Sequence, residues 1–323
     1  MRRAITLTLF VAVLGCGTNE GSPDPEGDAG DYPTTLTTPA TGTRVDRAAR
    51  NEIFWCPVNA MPGPLPRMTR PDTAWIDGAS INISEIPYVD GSVTYESEFS
   101  ISLTDTERRL VGNGLPNHPI GTFPVEEGTD AYEHYAALPA DGYDSAAEIP
   151  VAAYEIDLSL PRDPQVNSVP TCSNGIFLGV ASQTGAAWHL DVANDADSNL
   201  LDPVAALPMD ECWGHPYDTQ YHYHGYSWKC FPDQGVANEH SPLFGYAIDG
   251  FGVFGPRGED GEVVTNDDLD ECHGHTHEIE WDGETREMYH YHLNTEYPYS
   301  LGCFRGTPIV LPDHLLIGGV HAG

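Results

Sequence analysis

Apolar and polar positions along this chain alternate with a period of two far more often than they follow the period of a helix. Between Val93 and Leu103, the residues Val93, Tyr95, Phe99, Ile101 and Leu103 fall on alternate positions, with Ser97 breaking the series. Ala79 to Ile86 alternates through Ile81 and Ile83, and Tyr154-Glu155-Ile156-Asp157-Leu158 repeats the pattern. Successive side chains of a strand point to opposite faces, so each stretch predicts a half-buried strand. Turn pairs such as Asp90-Gly91 and Asp141-Gly142 lie between them, and Asn51 to Cys56 contributes Ile53, Phe54 and Trp55. Two glycine-punctuated apolar runs follow, Asn174 to Gly179 and Asp249 to Gly255, and a strand is predicted from Leu243 to Ile248. The expected fold is mainly β, sandwich-like or irregular, with few short helices.

The same period organises one tetrapeptide that occurs twice, Tyr221-His222-Tyr223-His224 and Tyr289-His290-Tyr291-His292. On a strand the two histidines of each copy share one face and the two tyrosines the other. Aromatic residues favour strands, so one face is expected to bury phenol rings and the other to present two imidazoles about 7 Å apart at Cα. Each copy follows an Asp-Glu-Cys-x-Gly-His stretch, Asp210 to His215 and Asp270 to His275, and precedes a cysteine, Cys230 or Cys303. The order of elements therefore repeats over about 172–231 and 245–304. Two units packed face to face about a pseudo-twofold axis are expected.

Composition narrows the setting. The 323 residues carry 49 Asp+Glu against 14 Lys+Arg, a net charge of −35, and 33 glycines and 27 prolines. No basic surface remains to neutralise phosphates, which argues against nucleic acid as a partner. Residues 1–16 read as a targeting segment: Arg2 and Arg3, a short apolar run from Ala4 to Leu14, then Val13-Leu14-Gly15-Cys16. That ending resembles a bacterial lipoprotein box, which implies lipidation at Cys16, export, and a membrane as partner. Gly17 after the cysteine favours the outer membrane by the sorting rule for such lipoproteins. Residues 17–45, rich in Gly, Ser, Thr, Pro and acid, read as a disordered tether, and 46–323 as one β-rich domain. Six cysteines then remain, an even number in an exported chain. Cys212–Cys230 and Cys272–Cys303 would each close one copy of the repeated unit, leaving Cys56–Cys172; crossed pairing between copies is the rival.

Nine of the 14 histidines fall between His215 and His292. Two strand imidazoles and a third from the Cys-x-Gly-His turn make a chelating set: His215, His222 and His224 in one copy, His275, His290 and His292 in the other. With the cysteines oxidised the donors are imidazole, which suits Cu²⁺ or Zn²⁺. One ion held by the four strand histidines of both copies is the alternative to two sites. His273 and His277 are spare imidazoles of the second copy. Asp210 and Asp270 are candidate carboxylates for orienting a ligand imidazole. Histidines in purely structural hydrogen-bond networks are the competing explanation. Two further signals are weak. Asp195-Ala196-Asp197-Ser198-Asn199 with Asp202 suggests a Ca²⁺ loop but lacks the glycine and final glutamate of an EF-hand. His240-Ser241 near Asp249 invites a Ser-His-Asp reading without a nucleophile elbow.

Asn113-Gly114-Leu115-Pro116-Asn117-His118-Pro119, Asn174-Gly175-Ile176, the Asp-Glu-Cys-Trp-Gly-His from Asp210 and the first tetrapeptide together resemble the bacterial YHYH-domain proteins. The likeness continues through His240-Ser241-Pro242, Gly245 to Gly250, Leu269 to Cys272, the second tetrapeptide, Tyr297-Pro298-Tyr299 and Gly302-Cys303-Phe304, about Val93 to Gly306 in all. The resemblance adds His118 and His240 to the candidate site residues and implies no particular activity. The expected function is a cell-envelope lipoprotein that binds a transition metal. The alternatives are a metal-dependent hydrolase or oxidase with tyrosines and Asp249 lining an open coordination position, and a structural or adhesive surface module.

Overall fold

A computed structural model describes residues 85–136, 149–172, 175–194, 200–227 and 229–316, together with five short strands that precede them. Those five are β1 (Thr35–Leu36), β2 (Phe54–Trp55), β3 (Gly63–Pro64), β4 (Ile76–Asp77) and β5 (Ser80–Asn82). β5 lies between β1 and β4, and β2 pairs with β3. β1 falls inside the stretch read as a tether and pairs antiparallel with β5. The targeting segment, the acidic run 195–199 and Cys56 lie outside the described residues.

A three-stranded antiparallel sheet follows, β6 (Phe99–Leu103), β7 (Glu107–Gly112) and β8 (Ile156–Pro161), in that order across the sheet. β7 and β8 alternate between exposed and buried positions, as period-two patterning requires. β6 is shorter than the predicted Val93–Leu103 strand, because Val93 leaves it to form an isolated bridge with Ile120. Its apolar face is also less covered than expected. Ile101 lies opposite the fully buried Leu110 yet is 39% exposed, because β6 is an edge strand.

The centre of the molecule is an eight-stranded sheet. Its strands are β9 (Phe177–Val180), β10 (Ala187–His189), β13 (Gly214–Tyr217), β14 (Gln220–Tyr223), β15 (Leu243–Ala247), β16 (Gly252–Phe254), β17 (Gly274–Trp281) and β18 (Glu284–His292). A two-stranded hairpin, β11 (Ala193–Asn194) with β12 (Leu200–Leu201), branches off after β10. The order across the sheet is β13-β14-β10-β9-β15-β16-β18-β17. Order and pairing sense read alike from either edge: an antiparallel hairpin outermost, then a parallel pair, then an antiparallel pair, with β9 and β15 antiparallel at the middle. The two tetrapeptide units are thus side by side in one sheet and not face to face as expected. The reason is that β9 and β15 each hydrogen-bond through an open edge, which joins the units along the backbone. Glycine makes this possible: a Cβ on Gly179 would come within 2.4 Å of the Tyr246 carbonyl oxygen, and one on Gly245 within 2.1 Å of that of Val180.

Directly paired residues share a face of the sheet. One row runs His215, His222, Ala187, Val180, Tyr246, Gly252, and the register of β16 with β18 puts His290 and then His275 level with it. The histidines of both units therefore occupy one face and the four tyrosines the other. The small sheet covers the histidine face between them. The buried guanidinium of Arg108 from β7 lies 4.1 Å from the ring of Tyr246 and 4.6 Å from that of Trp281, and it pairs with Asp282 at 2.6 Å. The aromatic faces and the carboxylate offset the burial of this cation, although Nε and Nη1 have no hydrogen-bond partner among the described residues. Helix is confined, among the described residues, to Asp130–Ala136, Pro203–Ala206 and a single 3₁₀ turn, Asp313–Leu315.

Candidate metal centres

The Asp-x-Cys-x-Gly-His stretch and the tetrapeptide form one hydrogen-bonded unit, built the same way twice. Asp210 turns its carboxylate back on its own chain and accepts from the N–H groups of Cys212 (2.9 Å) and Gly214 (3.2 Å). Asp270 accepts from Cys272 (2.9 Å) and Gly274 (3.2 Å). The intervening residue adopts a positive φ, 56° at Trp213 and 78° at His273, and its carbonyl accepts from the N–H of His224 or His292. Disulfides Cys212–Cys230 and Cys272–Cys303 tie each turn down by local pairing. They close loops of 18 and 31 residues, worth roughly 3–4 kcal/mol each in chain entropy. Cys172 is disulfide-bonded as well, and its expected partner lies outside the described residues. The glycine is required by the tyrosine diagonally across: a Cβ on Gly214 would meet the Tyr221 hydroxyl at 2.2 Å, and one on Gly274 that of Tyr289 at 2.3 Å. The hairpin register then sets His215 opposite His222 and His275 opposite His290.

In the first unit three imidazoles converge. Nε2 of His224 lies 3.1 Å from Nε2 of His222 and 3.2 Å from Nε2 of His215. The other ring nitrogens are all engaged with acceptors: Nδ1 of His215 with the Pro208 carbonyl, of His222 with the Gln220 carbonyl, and of His224 with the Asp191 carboxylate at 2.9 Å. An acceptor at Nδ1 takes that nitrogen's N–H, so in the neutral rings each Nε2 turns a lone pair to the same point. Burial, and then the neighbouring imidazoles, push the His215 and His222 rings well below the usual histidine range, which keeps them neutral. Three buried acceptors facing one another are unfavourable without a cation. Nitrogens around a tetrahedral ion with metal–nitrogen bonds of 2.0–2.1 Å are about 3.3 Å apart. The two distances from His224 have about that spacing, and all three Nε2 atoms lie within 4.8 Å of one another.

The second unit gathers five imidazoles. Nε2 of His290 is 3.1 Å from Nε2 of His292 and 3.4 Å from Nε2 of His240. Their Nδ1 atoms face the carbonyls of Met288, Gly255 and Ser241. His275 and His277 pack against them, with ring centroids 4.9 and 4.4 Å from His290. Burial lowers His240 and His275 to about 4, and His290 and His292 further. His290 and His292 are buried, whereas His240 and His277 reach partly to solvent. His215, His222 and His224 form one group that could hold a metal ion, and His240, His277, His290 and His292 form another. The strand histidines of the two units are five strand spacings apart across the sheet, about 24 Å, so they do not surround a single ion.

Other candidates lie elsewhere. Asp210 and Asp270 do not reach the imidazoles; they are on the tyrosine face and accept from Tyr221 (2.9 Å) and Tyr289 (2.9 Å). Asp249 is there too, accepting from Tyr291 at 2.6 Å and from the N–H of Gly306. Burial pushes Asp210 and Asp249 up to about 6. His118 accepts the Tyr223 hydroxyl at 2.6 Å and lies beside Cys212. Because Cys212 and Cys230 are joined, the group they form with His118 offers no thiolate. His273 uses both ring nitrogens, on the His292 carbonyl and on Asn266. Asp202 caps the Pro203–Ala206 helix and accepts from Tyr299. Two participants escaped sequence reasoning. Asp191 orients His224 and is itself fixed by the N–H and hydroxyl of Ser300. His189 stacks on His222 with centroids 3.8 Å apart, and both its nitrogens are buried without a hydrogen-bond partner among the described residues. The polar His189 and Asp191 within the apolar run Ala186 to Val192 were the only local signal.

The fold and these clusters define a β-sheet domain with buried histidine groups able to hold metal. Residues 157–262 match the family described as YHYH protein, and the chain carries a domain of that family. The match takes in the first cluster and His240 and ends before the second tetrapeptide. No curated protein and no solved structure matches the chain.

Proposed function

We propose that the protein binds a transition metal, Cu²⁺ or Zn²⁺, through its two histidine clusters, as a lipid-anchored protein of the cell envelope. The observation that carries this reading is the convergence of three bare Nε2 atoms at 3.1 and 3.2 Å, each with its Nδ1 held by an acceptor. Neutral rings tied down at Nδ1 in this way set lone pair against lone pair at Nε2. Imidazole donors suit Cu²⁺ or Zn²⁺, and the lack of converging oxygens in either group disfavours Ca²⁺. A carboxylate and backbone carbonyls behind the rings are the supports that metal-ligating histidines use. The matched strand order and turn bonds support reading the two units as copies of one ancestral unit, each with its own site.

Export is supported by the disulfides, which persist in oxidising compartments, and by the targeting segment ending at Cys16. Metal analysis of the chain, purified without a histidine tag, tests the function. Copper or zinc should co-purify, and a His222→Ala, His224→Ala double variant should lose the part bound at the first cluster. Absence of metal, with no thermal shift on adding Cu²⁺ or Zn²⁺, would overturn the reading. Replacing Cys16 by Ala should move the protein from the membrane fraction to the soluble one; an unchanged distribution would overturn the anchor.

A further inference from the structure

The second cluster contains more donors than one tetrahedral ion can use. Nε2 of His290 has two neighbours near the roughly 3.3 Å spacing of ligands on one ion, His292 and His240. His275 and His277 stand outside that trio, although the ligand atom of His277 also lies within 4.8 Å of those of His240, His290 and His292. His275 and His277 are alternate residues of β17, so they form a further His-x-His pair that faces the pair on β18. Nε2 of each is buried and has no hydrogen-bond partner among the described residues. Nδ1 of His277 faces the carbonyl of Glu278, and His275 is held by the backbone of Asp268, so both Nε2 atoms are bare acceptors. Their ring centroids are 4.5 Å apart, and that of His277 is 4.9 Å from that of His240. The first cluster has no equivalent of this pair. His215 occupies the position of His275, but two residues on stands Tyr217, which is exposed.

We propose that the second cluster is a two-ion site. His240, His290 and His292 hold one divalent transition-metal ion, and His275 with His277 hold a second on the partly solvent-reaching side. Two ions about 3.5–4 Å apart, bridged by a shared water or hydroxide, is the usual arrangement of such pairs. With two protein ligands the second ion keeps open positions, which suit a small oxygen-donor ligand. The nearby Asp268 carboxylate, which acts on His275, offsets part of the added charge.

The proposal rests on the metal reading above, and counting ions separates the two. The full-length chain would be stripped with chelator, loaded with Zn²⁺, washed by gel filtration in excess Mg²⁺ to displace ions from the acidic surface, and weighed by native mass spectrometry. About three zinc ions per chain are expected, one at the first cluster and two at the second. His277→Gln, on the partly exposed strand, should lose one ion, as should the His275→Gln, His277→Gln pair, with unchanged circular dichroism. Loaded with Cu²⁺, the wild type should show less paramagnetic resonance than its copper content, because neighbouring ions couple. His277→Gln should restore the missing signal. About two ions in the wild type and in His277→Gln, with full copper signal in both, would overturn the two-ion site while leaving the metal reading intact. No zinc in any form would overturn both.

Discussion

The two faces of the tetrapeptide strands bury polar groups by opposite rules. On the tyrosine face every hydroxyl has an acceptor within 3 Å: Asp210 for Tyr221, His118 for Tyr223, Asp270 for Tyr289 and Asp249 for Tyr291. The bonds are donor to acceptor, and the carboxylates also take backbone N–H groups of the turns. That is how a protein closes a polar network in its core. On the histidine face the Nδ1 atoms of His215, His222, His224, His240, His290 and His292 are equally well partnered, but their Nε2 atoms face one another. One face is complete as it stands, and the other is arranged so that a cation could complete it. The same strand thus separates a scaffold from a site, one residue apart.

The largest effect that would break this comparison is on metal affinity. Changing His222 and His224 together to Ala should abolish binding at the first cluster, a loss of at least about 10³-fold given that supporting residues alone cost 10–100-fold. Stability of the metal-free protein should fall little, because the unfavourable acceptor contacts vanish with the rings. If the apo protein instead unfolds while metal content in the folded remainder is unchanged, the histidine face is structural. Next comes Asp191→Asn. It keeps the shape but weakens the acceptor behind His224, and metal affinity of the first cluster should drop about 10–100-fold, read by chelator competition, with the second cluster unaffected. An equal loss at both clusters would point to a change of fold and not of ligand support.

Tyr221→Phe is the mirror experiment. It removes one donor from the buried Asp210 and should cost about 1–3 kcal/mol of stability in chemical denaturation, without altering metal stoichiometry. A loss of metal with unchanged stability would merge the two faces into one site.

How much of this division was legible in the chain follows from range. Period two placed histidines and tyrosines on opposite faces, and the Cys-x-Gly-His spacing put His215 and His275 within a hairpin of their partners. These are local relations. Asp191 and His224 are 33 residues apart and meet only because β10 and β14 pair in parallel; His240 and His290 are 50 apart. No periodicity reports such contacts. Asp210 and Asp270 were read as supports for imidazoles from proximity in sequence, yet each closes its own turn, because the backbone N–H groups two and four residues on are nearer than any ring. The side-by-side assembly was hidden for a similar reason: it depends on two glycines, Gly179 and Gly245, that let backbones approach, and glycine there looks like any turn residue.

The smallest expected effect, and the one that weighs the two faces against each other, is the pH dependence of the chelator-treated protein. The cluster histidines His189, His215, His222, His240, His275, His290 and His292 have pKa values below that of an unfolded histidine. As pH falls through 6.5 the unfolded chain takes up protons that the folded one refuses, so stability falls from there towards about pH 4. Asp210 and Asp249, raised to about 6, act the other way. The folded state takes their protons first, so they add stability as pH falls from 6 towards 3.8. The lowered histidines outnumber the raised carboxylates Asp210, Asp249 and Asp270, and the melting temperature of the apo protein should decline on acidification below 6.5. His222→Ala with His224→Ala should flatten that decline, and Asp210→Asn should steepen it by removing an opposing contribution. A profile that both changes shift in the same direction would mean that the faces do not titrate as separate networks.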